Sequence, residues 1–227
     1  MTQPLVIYRD APRLLGLKTA AVGYPGTADD LTAAIAQIRR EGFEAVIGPM
    51  EGSTWARHRL VIESDGRAPF FLEPVNPPGA LEAFQASGLD VVATYASAER
   101  QVTGGADAKA HPGGLRLRSF DLSRAEEELA LIHRVSLQAF SGNAFYTPLG
   151  IEPFLAGYRP VLTRLDPDLV LLLEDDQGRT VGFLFAIPDA HQGERPDTLI
   201  LKTYASLIKG GGSLLASALH QRAEAKG

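Results

Sequence analysis

The chain contains no cysteine, which excludes disulfide cross-links and thiolate metal sites. It has no run of Lys or Arg, and a formal net charge of -5 argues against a nucleic-acid surface, which is usually basic. No apolar stretch approaches the ~20 residues that span a bilayer. The amino terminus MTQPLVIYRD lacks the basic-then-apolar pattern of a signal peptide. These absences predict a cytoplasmic protein with neither a membrane nor a nucleic-acid partner. The five histidines show no ligand spacing, so no metal is expected. What remains is ordinary globular material: 227 residues, 45% apolar and 22% charged, enough for one large domain or two small ones.

Apolar periodicity and turn residues divide the chain. Leu5–Tyr8 and Leu17–Val22 read as strands, and Thr27 opens a helix with Leu31, Ile35 and Ile38 on one face. Thr27 with Asp30 resembles a capping box whose carboxylate is one carbon short. Glu44–Ile47 reads as a strand, Arg59–Glu63 and Phe70–Leu72 as a strand pair turning at Asp65–Gly66, Ala80–Ser87 as a short helix, and Asp90–Tyr95 as a strand. The Gly-rich stretch 103–114 reads as a linker between a first half, 1–102, and a second, 115–227. Beyond it come a strand at Leu115–Arg118, a helix from Ser123 to Phe140 with Ser123 as N-cap, and a helix from Pro148 to Tyr158. A hairpin follows, Leu169–Leu173 with Thr180–Ile187, then a strand at Thr198–Tyr204, a glycine loop and a final helix. Interleaved strands and helices predict an α/β fold with a mixed sheet.

The two halves share a weak repeat. At one fixed offset Lys18, Thr19 and Ala21 match Lys202, Thr203 and Ala205, while Gly26, Leu31, Ala34 and Gln37 match Gly210, Leu215, Ala218 and Gln221. Each copy reads strand, glycine loop, helix. The second loop, Lys209-Gly210-Gly211-Gly212-Ser213, has one cation, one hydroxyl and no acid; the first, Pro25 to Asp30, places two carboxylates in its helix's first turn. A helix amino terminus offers unpaired N–H groups and partial positive charge, so the second copy suits an anionic cofactor and the first does not. The dinucleotide pattern G-x-G-x-x-G fails at Leu215, and no Gly-Lys-Ser/Thr follows the glycines. On the loop alone, a flexible strand-to-helix turn explains the glycines equally well.

The segment Thr198 to Leu215 resembles the fourth strand, pyrophosphate loop and third helix of GNAT acetyltransferases, with Lys209 in place of the usual arginine and a loop two or three residues short. Leu129–His133, Phe140 and Asn143–Pro148 resemble the first two helices and their loop in a bacterial subgroup with two lobes in tandem. Val181-Gly182-Phe183 resembles the family's third strand, and Gly48–Trp55 and Phe71–Pro77 also resemble that subgroup. The resemblance implies a GNAT-like mixed, mostly antiparallel sheet flanked by helices. The second half stops at its last helix, Gly227, so the two halves either share one sheet as a composite, with Glu44–Ile47, Ala80–Ser87 and Asp90–Tyr95 completing it, or belong to a tandem protein truncated at both ends.

The resemblance further implies acetyl-CoA as co-substrate and direct transfer of acetyl to a small-molecule or peptide amine. Pantetheine would lie along Thr203, Tyr204 and Ala205, and pyrophosphate on Gly210, Gly211, Gly212, Ser213 and Leu214 beside Lys209. Glu152 and Tyr146 are the candidates for catalysis, each with a plain alternative as a solvated helix residue and a packed ring. His133 reads as structural, His191 as exposed and Glu73 as positional. A homodimer is a further expectation. The rival readings are a catalytically degenerate scaffold that binds acyl-CoA or a partner, and an α/β module whose loop takes a nucleotide.

Overall fold

The computed structural model describes residues 5–102 and 113–226, so most of the proposed linker lies outside the described residues. The strands form two sheets, with mixed α/β architecture and mostly antiparallel pairing. Two compact units result: Met1–Ser97 with Asn143–Thr147, and Ala98–Gly142 with Pro148–Gly227.

In the second unit, Val170-Leu-Leu-Leu-Glu174 (β5) and Thr180–Pro188 (β6) are near-continuous apolar runs. Such runs suit strands covered on both faces, and these two are the central pair of the order β4-β5-β6-β7. Arg116–Ser119 (β4) and Leu199–Ser206 (β7) are the edges, and every pairing is antiparallel. The β5–β6 hairpin turns where Asp175 Oδ1 accepts the amides of Gln177 and Arg179. One face carries Ala125–Ala139 (α3) and Ile151–Tyr158 (α4), whose Leu129, Ile132, Val135 and Phe154 pack on Leu172, Phe183 and Phe185. The other carries Gly211–Lys226 (α5), whose Leu215, Ala218 and Leu219 pack on Leu171, Leu173 and Leu184. At about 25 cal/mol per Å² of apolar surface, these two faces are the unit's main source of stability.

The first unit has a sheet of its own, ordered β1-β2-β3. Ile7–Tyr8 (β1) is antiparallel to Thr19–Val22 (β2), while Ala45–Ile47 (β3) is parallel to β2 after the crossover helix Ala28–Arg40 (α1). Ala80–Ala86 (α2) follows. Three of the matched pairs, Ala21 and Ala205, Leu31 and Leu215, Ala34 and Ala218, are buried in both copies. Thr27 caps α1 by accepting the Asp30 amide at 3.2 Å, and its hydroxyl donates to the short Asp30 carboxylate at 2.7 Å.

Several sequence expectations fail for identifiable reasons. The halves do not share one sheet: among the described residues the strands fall into β1-β2-β3 and β4-β5-β6-β7, and β3 pairs with β2, with Thr19 opposite Ala45 and Ala21 opposite Ile47. Arg59–Glu63 and Phe70–Leu72 form no strand pair: Arg59 and Leu72 have φ of +76° and +67°, which interrupts extended backbone. Asp90–Tyr95 is β-prone in composition but finds no ladder, and Val91 is 73% exposed. Ser123 is not the cap of α3. It sits in a 3-10 turn, Leu122–Arg124, where Asp121 Oδ1 accepts its amide at 2.9 Å. Helix α4 begins at Ile151 rather than Pro148.

Candidate functional site

Strand β7 ends the sheet, so one row of its backbone groups has no partner strand among those described. The phase is set by Leu207, whose amide donates to the Val181 carbonyl at 2.8 Å. Hydrogen-bonded and non-bonded pairs alternate along an antiparallel ladder. Ala205 opposite Phe183 and Thr203 opposite Phe185 therefore spend their backbone groups on β6, while Tyr204 and Ser206 turn theirs to the open edge. Of the three predicted edge residues, Tyr204 is the one that presents main-chain groups there.

Beyond β7 the chain turns sharply, and a serine that sequence reasoning overlooked shapes the turn. Ser206 Oγ accepts the Ile208 amide at 3.2 Å and donates to the Ile208 carbonyl at 2.9 Å. A serine closing a strand two residues before the turn was the available signal. Gly210 has φ +86°, a conformation that favours glycine. Gly211 packs against the sheet: a Cβ there would stand 2.2 Å from Ser206 Oγ and 2.8 Å from Leu173 Cδ2. A Cβ on Gly212 would meet the Tyr204 ring at 3.3 Å. Gly210 and Gly211 thus have a reason within the fold, quite apart from any ligand, while a methyl group at Gly212 asks only a small shift of the exposed Tyr204 ring.

Helix geometry leaves the first amides of α5 without partners inside the helix. That of Gly211 donates to Ile208 at 3.0 Å and that of Leu214 to Gly210 at 3.3 Å. The amides of Gly212 and Ser213 remain for an outside acceptor. Ser213 and Lys209 are exposed, and no carboxylate occurs in the sequence from Thr198 to Ala223. The chemistry of this turn fits a phosphate group.

The catalytic candidates sit elsewhere. Glu152 lies in the first turn of α4 with a 77% exposed side chain, 3.9 Å from Arg159 Nη2. Tyr146 belongs to the first unit, its ring 6.3 Å from Trp55, whose indole nitrogen donates to the Thr147 carbonyl. Burial pushes the Tyr146 hydroxyl up from its ordinary value. His133 is buried, hydrogen-bonded through Nε2 to the Leu149 carbonyl at 2.7 Å and packed on Phe154, a structural role. His191 follows the buried Asp189, which accepts its amide, and Glu73 accepts from Ser97 Oγ at 2.7 Å. Among the described residues no group of three acidic or imidazole side chains could hold a metal ion, and no helix is long and apolar enough to cross a membrane.

No protein-family model and no curated protein matches the chain. Solved structures similar to part of it include two acetyltransferases. A GCN5-related N-acetyltransferase from Sphaerobacter thermophilus is 19% identical with a TM-score of 0.37, over 51% of this chain and 35% of that one. A putative acetyltransferase from Salmonella typhimurium, solved with its cofactor acetyl-CoA, is 16% identical with a TM-score of 0.30, over 50% of this chain and 65% of that one. The chain thus matches about a third of the first protein's length and just under two thirds of the second's.

Proposed function

We propose that the second unit binds acetyl-CoA and transfers its acetyl group to an amine. The observation that carries this reading is an open strand edge running directly into an acid-free glycine turn with two unengaged helix amides. The main-chain groups of Tyr204 and Ser206 would hold the pantetheine amides, and the amides of Gly212 and Ser213 the pyrophosphate, with Lys209 as the nearby cation. Acetyl-CoA supplies the activated acyl group. The chain must supply a base for the ammonium of the acceptor and an acid for the departing thiolate. Glu152 is the proposed base, being a carboxylate in the first turn of α4. Tyr146, the other candidate, belongs to the first unit, and burial raises its hydroxyl pKa, which makes it a weaker proton donor.

The reading is tested by thermal unfolding with acetyl-CoA, CoA, ADP and NAD. Ligand at a hundred times its Kd adds about 2.7 kcal/mol, several degrees for a chain of this size. The informative variant is Ser213→Glu, since Ser213 is exposed and an added carboxylate favours the helix start while repelling pyrophosphate. Stabilisation by both CoA species that is lost in S213E supports the reading. Stabilisation by ADP or NAD alone would point to a nucleotide module instead.

A catalytically degenerate scaffold is the second reading, favoured by a specific observation. Gly210 is accounted for by backbone sign and Gly211 by packing, so two of the three glycines persist without a ligand. Saturable CoA binding with no release of free thiol across a panel of primary amines would select the scaffold.

A further inference from the structure

The run Gly48–Trp55 continues into Ala56-Arg57-His58-Arg59, and the glycine turn makes no use of either. In the first unit this stretch forms a closed loop, joined by the bridge between Met50 and His58 and by the Arg59 amide donating to the Pro49 carbonyl at 3.1 Å. Two guanidinium groups leave it on either side of His58. Arg57 lies over the Tyr24 ring at 4.4 Å from its centroid, and Arg59 over the Tyr95 ring at 5.1 Å. The Tyr24 hydroxyl donates to the Arg59 carbonyl at 3.0 Å, so the tyrosine that carries the Arg57 guanidinium also holds the Arg59 main chain. Burial pushes that hydroxyl up, and the fields of Arg57 and Arg59 oppose the shift.

The two cations are poorly neutralised. Arg57 has a loose contact with Glu51, 3.6 Å from Nη1 to Oε1. Arg59 is half-buried, makes no ion pair among the described residues, and keeps its Nε buried without an acceptor. It also sits at φ +76°, unfavourable for a residue with a side chain, and is held there from both sides. Its neighbour Val61 exchanges hydrogen bonds of 2.8 and 2.7 Å with the Asn76 amide. A half-desolvated cation without a counter-charge is unfavourable unless something of opposite sign completes it. A guanidinium lying over an aromatic face keeps its two Nη groups as in-plane donors, a pair that matches a carboxylate or phosphate.

We infer that Arg59 and Arg57, presented by Tyr95 and Tyr24, form an oxyanion-binding site of the first unit, taking a terminal carboxylate or a phosphate monoester. The inference is independent of the glycine turn. Trp55, the chain's single tryptophan, lies in the same loop and reports on it.

The experiment is a fluorescence titration of the full chain with inorganic phosphate and, separately, succinate, at constant ionic strength against chloride. A saturable change with phosphate assigns a phosphate ligand; one with succinate assigns a carboxylate. Arg59→Met should weaken binding roughly tenfold or more, the worth of a charge-assisted bidentate contact. Should R59M fail to fold, R57M, which alters an exposed side chain, should still weaken it several-fold. Absence of saturation with either anion, or titrations unchanged in these variants, overturns the proposal and leaves stacking on tyrosine as the sole role of the two arginines.

Discussion

Gly211 and Arg118 show how single residues hold the second unit together. At Gly211 there is no room for a methyl group, because helix α5 approaches β5 and β7 to within contact of Ser206 and Leu173. Gly211→Ala is expected to lower stability by about 1–3 kcal/mol, an overpacking cost read as a lower urea midpoint at unchanged slope. A variant as stable as the parent would show that the turn yields freely. Arg118, on β4, reaches two carboxylates: Nη2 donates to the fully buried Glu128 at 3.0 Å, and Nε donates to Glu174. The hydrogen bond that Arg118 donates to Glu128 foremost raises the Arg118 pKa. Arg118→Met leaves Glu128 buried without its cation, which costs about 3–5 kcal/mol. Adding Glu128→Gln should recover part of that loss. If the double variant is no better than the single, the pair is not the source of the cost.

At the level of elements, β7 differs from its counterpart β2 in one respect that decides what each can do. Strand β2 is paired on both sides, with β1 and β3, whereas β7 is paired only with β6 among the described strands. The alternation along β7 makes a sharp prediction. Proline at 203 removes an amide that donates to Phe185 and should destabilise the fold by about 1–3 kcal/mol. Proline at 204 removes an outward amide; it should leave stability closer to the parent, yet abolish stabilisation by CoA. Circular dichroism melts with and without CoA distinguish the two. If T203P and Y204P lose equal stability, the phase of the ladder assigned from Leu207 is wrong.

Across the molecule, the carboxylates among the described residues whose pKa values move all move down. Arg9 and then Gln37 hydrogen-bond Glu41 and lower it to about 2 from 4.5. For Glu174 burial acts upward, but hydrogen bonds from Arg118 and Arg116 outweigh it and the net direction is down. A carboxylate whose folded pKa is depressed contributes stability above its unfolded pKa and loses it as pH falls through the folded value. The midpoint of thermal unfolding should therefore be nearly flat from pH 7 to about 5 and fall as pH drops below the unfolded value of 4.5. Glu174→Gln should make that acid limb shallower. A midpoint that rises towards pH 3 would contradict the network.

Local chemistry was enough to read most elements in the second half. The apolar runs of β5 and β6 announce strands buried on both faces, Leu215 with Ala218 and Leu219 marks the inner stripe of α5, and Asp175-Asp176-Gln177-Gly178 marks the hairpin turn. The glycine turn was equally visible as a place where backbone could meet an anion. Tertiary structure alone decided the rest, because pairing is a relation between distant segments that no segment contains. Asp90–Tyr95 has strand composition without a partner, while β3 takes β2 beside it and the halves build two sheets. Which amides of β7 face outward depends on ladder phase, fixed by a bond from Leu207 to Val181. That Gly211 serves packing follows only from where Ser206 and Leu173 come to lie. Arg57 and Arg59 acquire meaning in the same way, since Tyr24 and Tyr95 are brought under them by folding, from dozens of residues away in sequence.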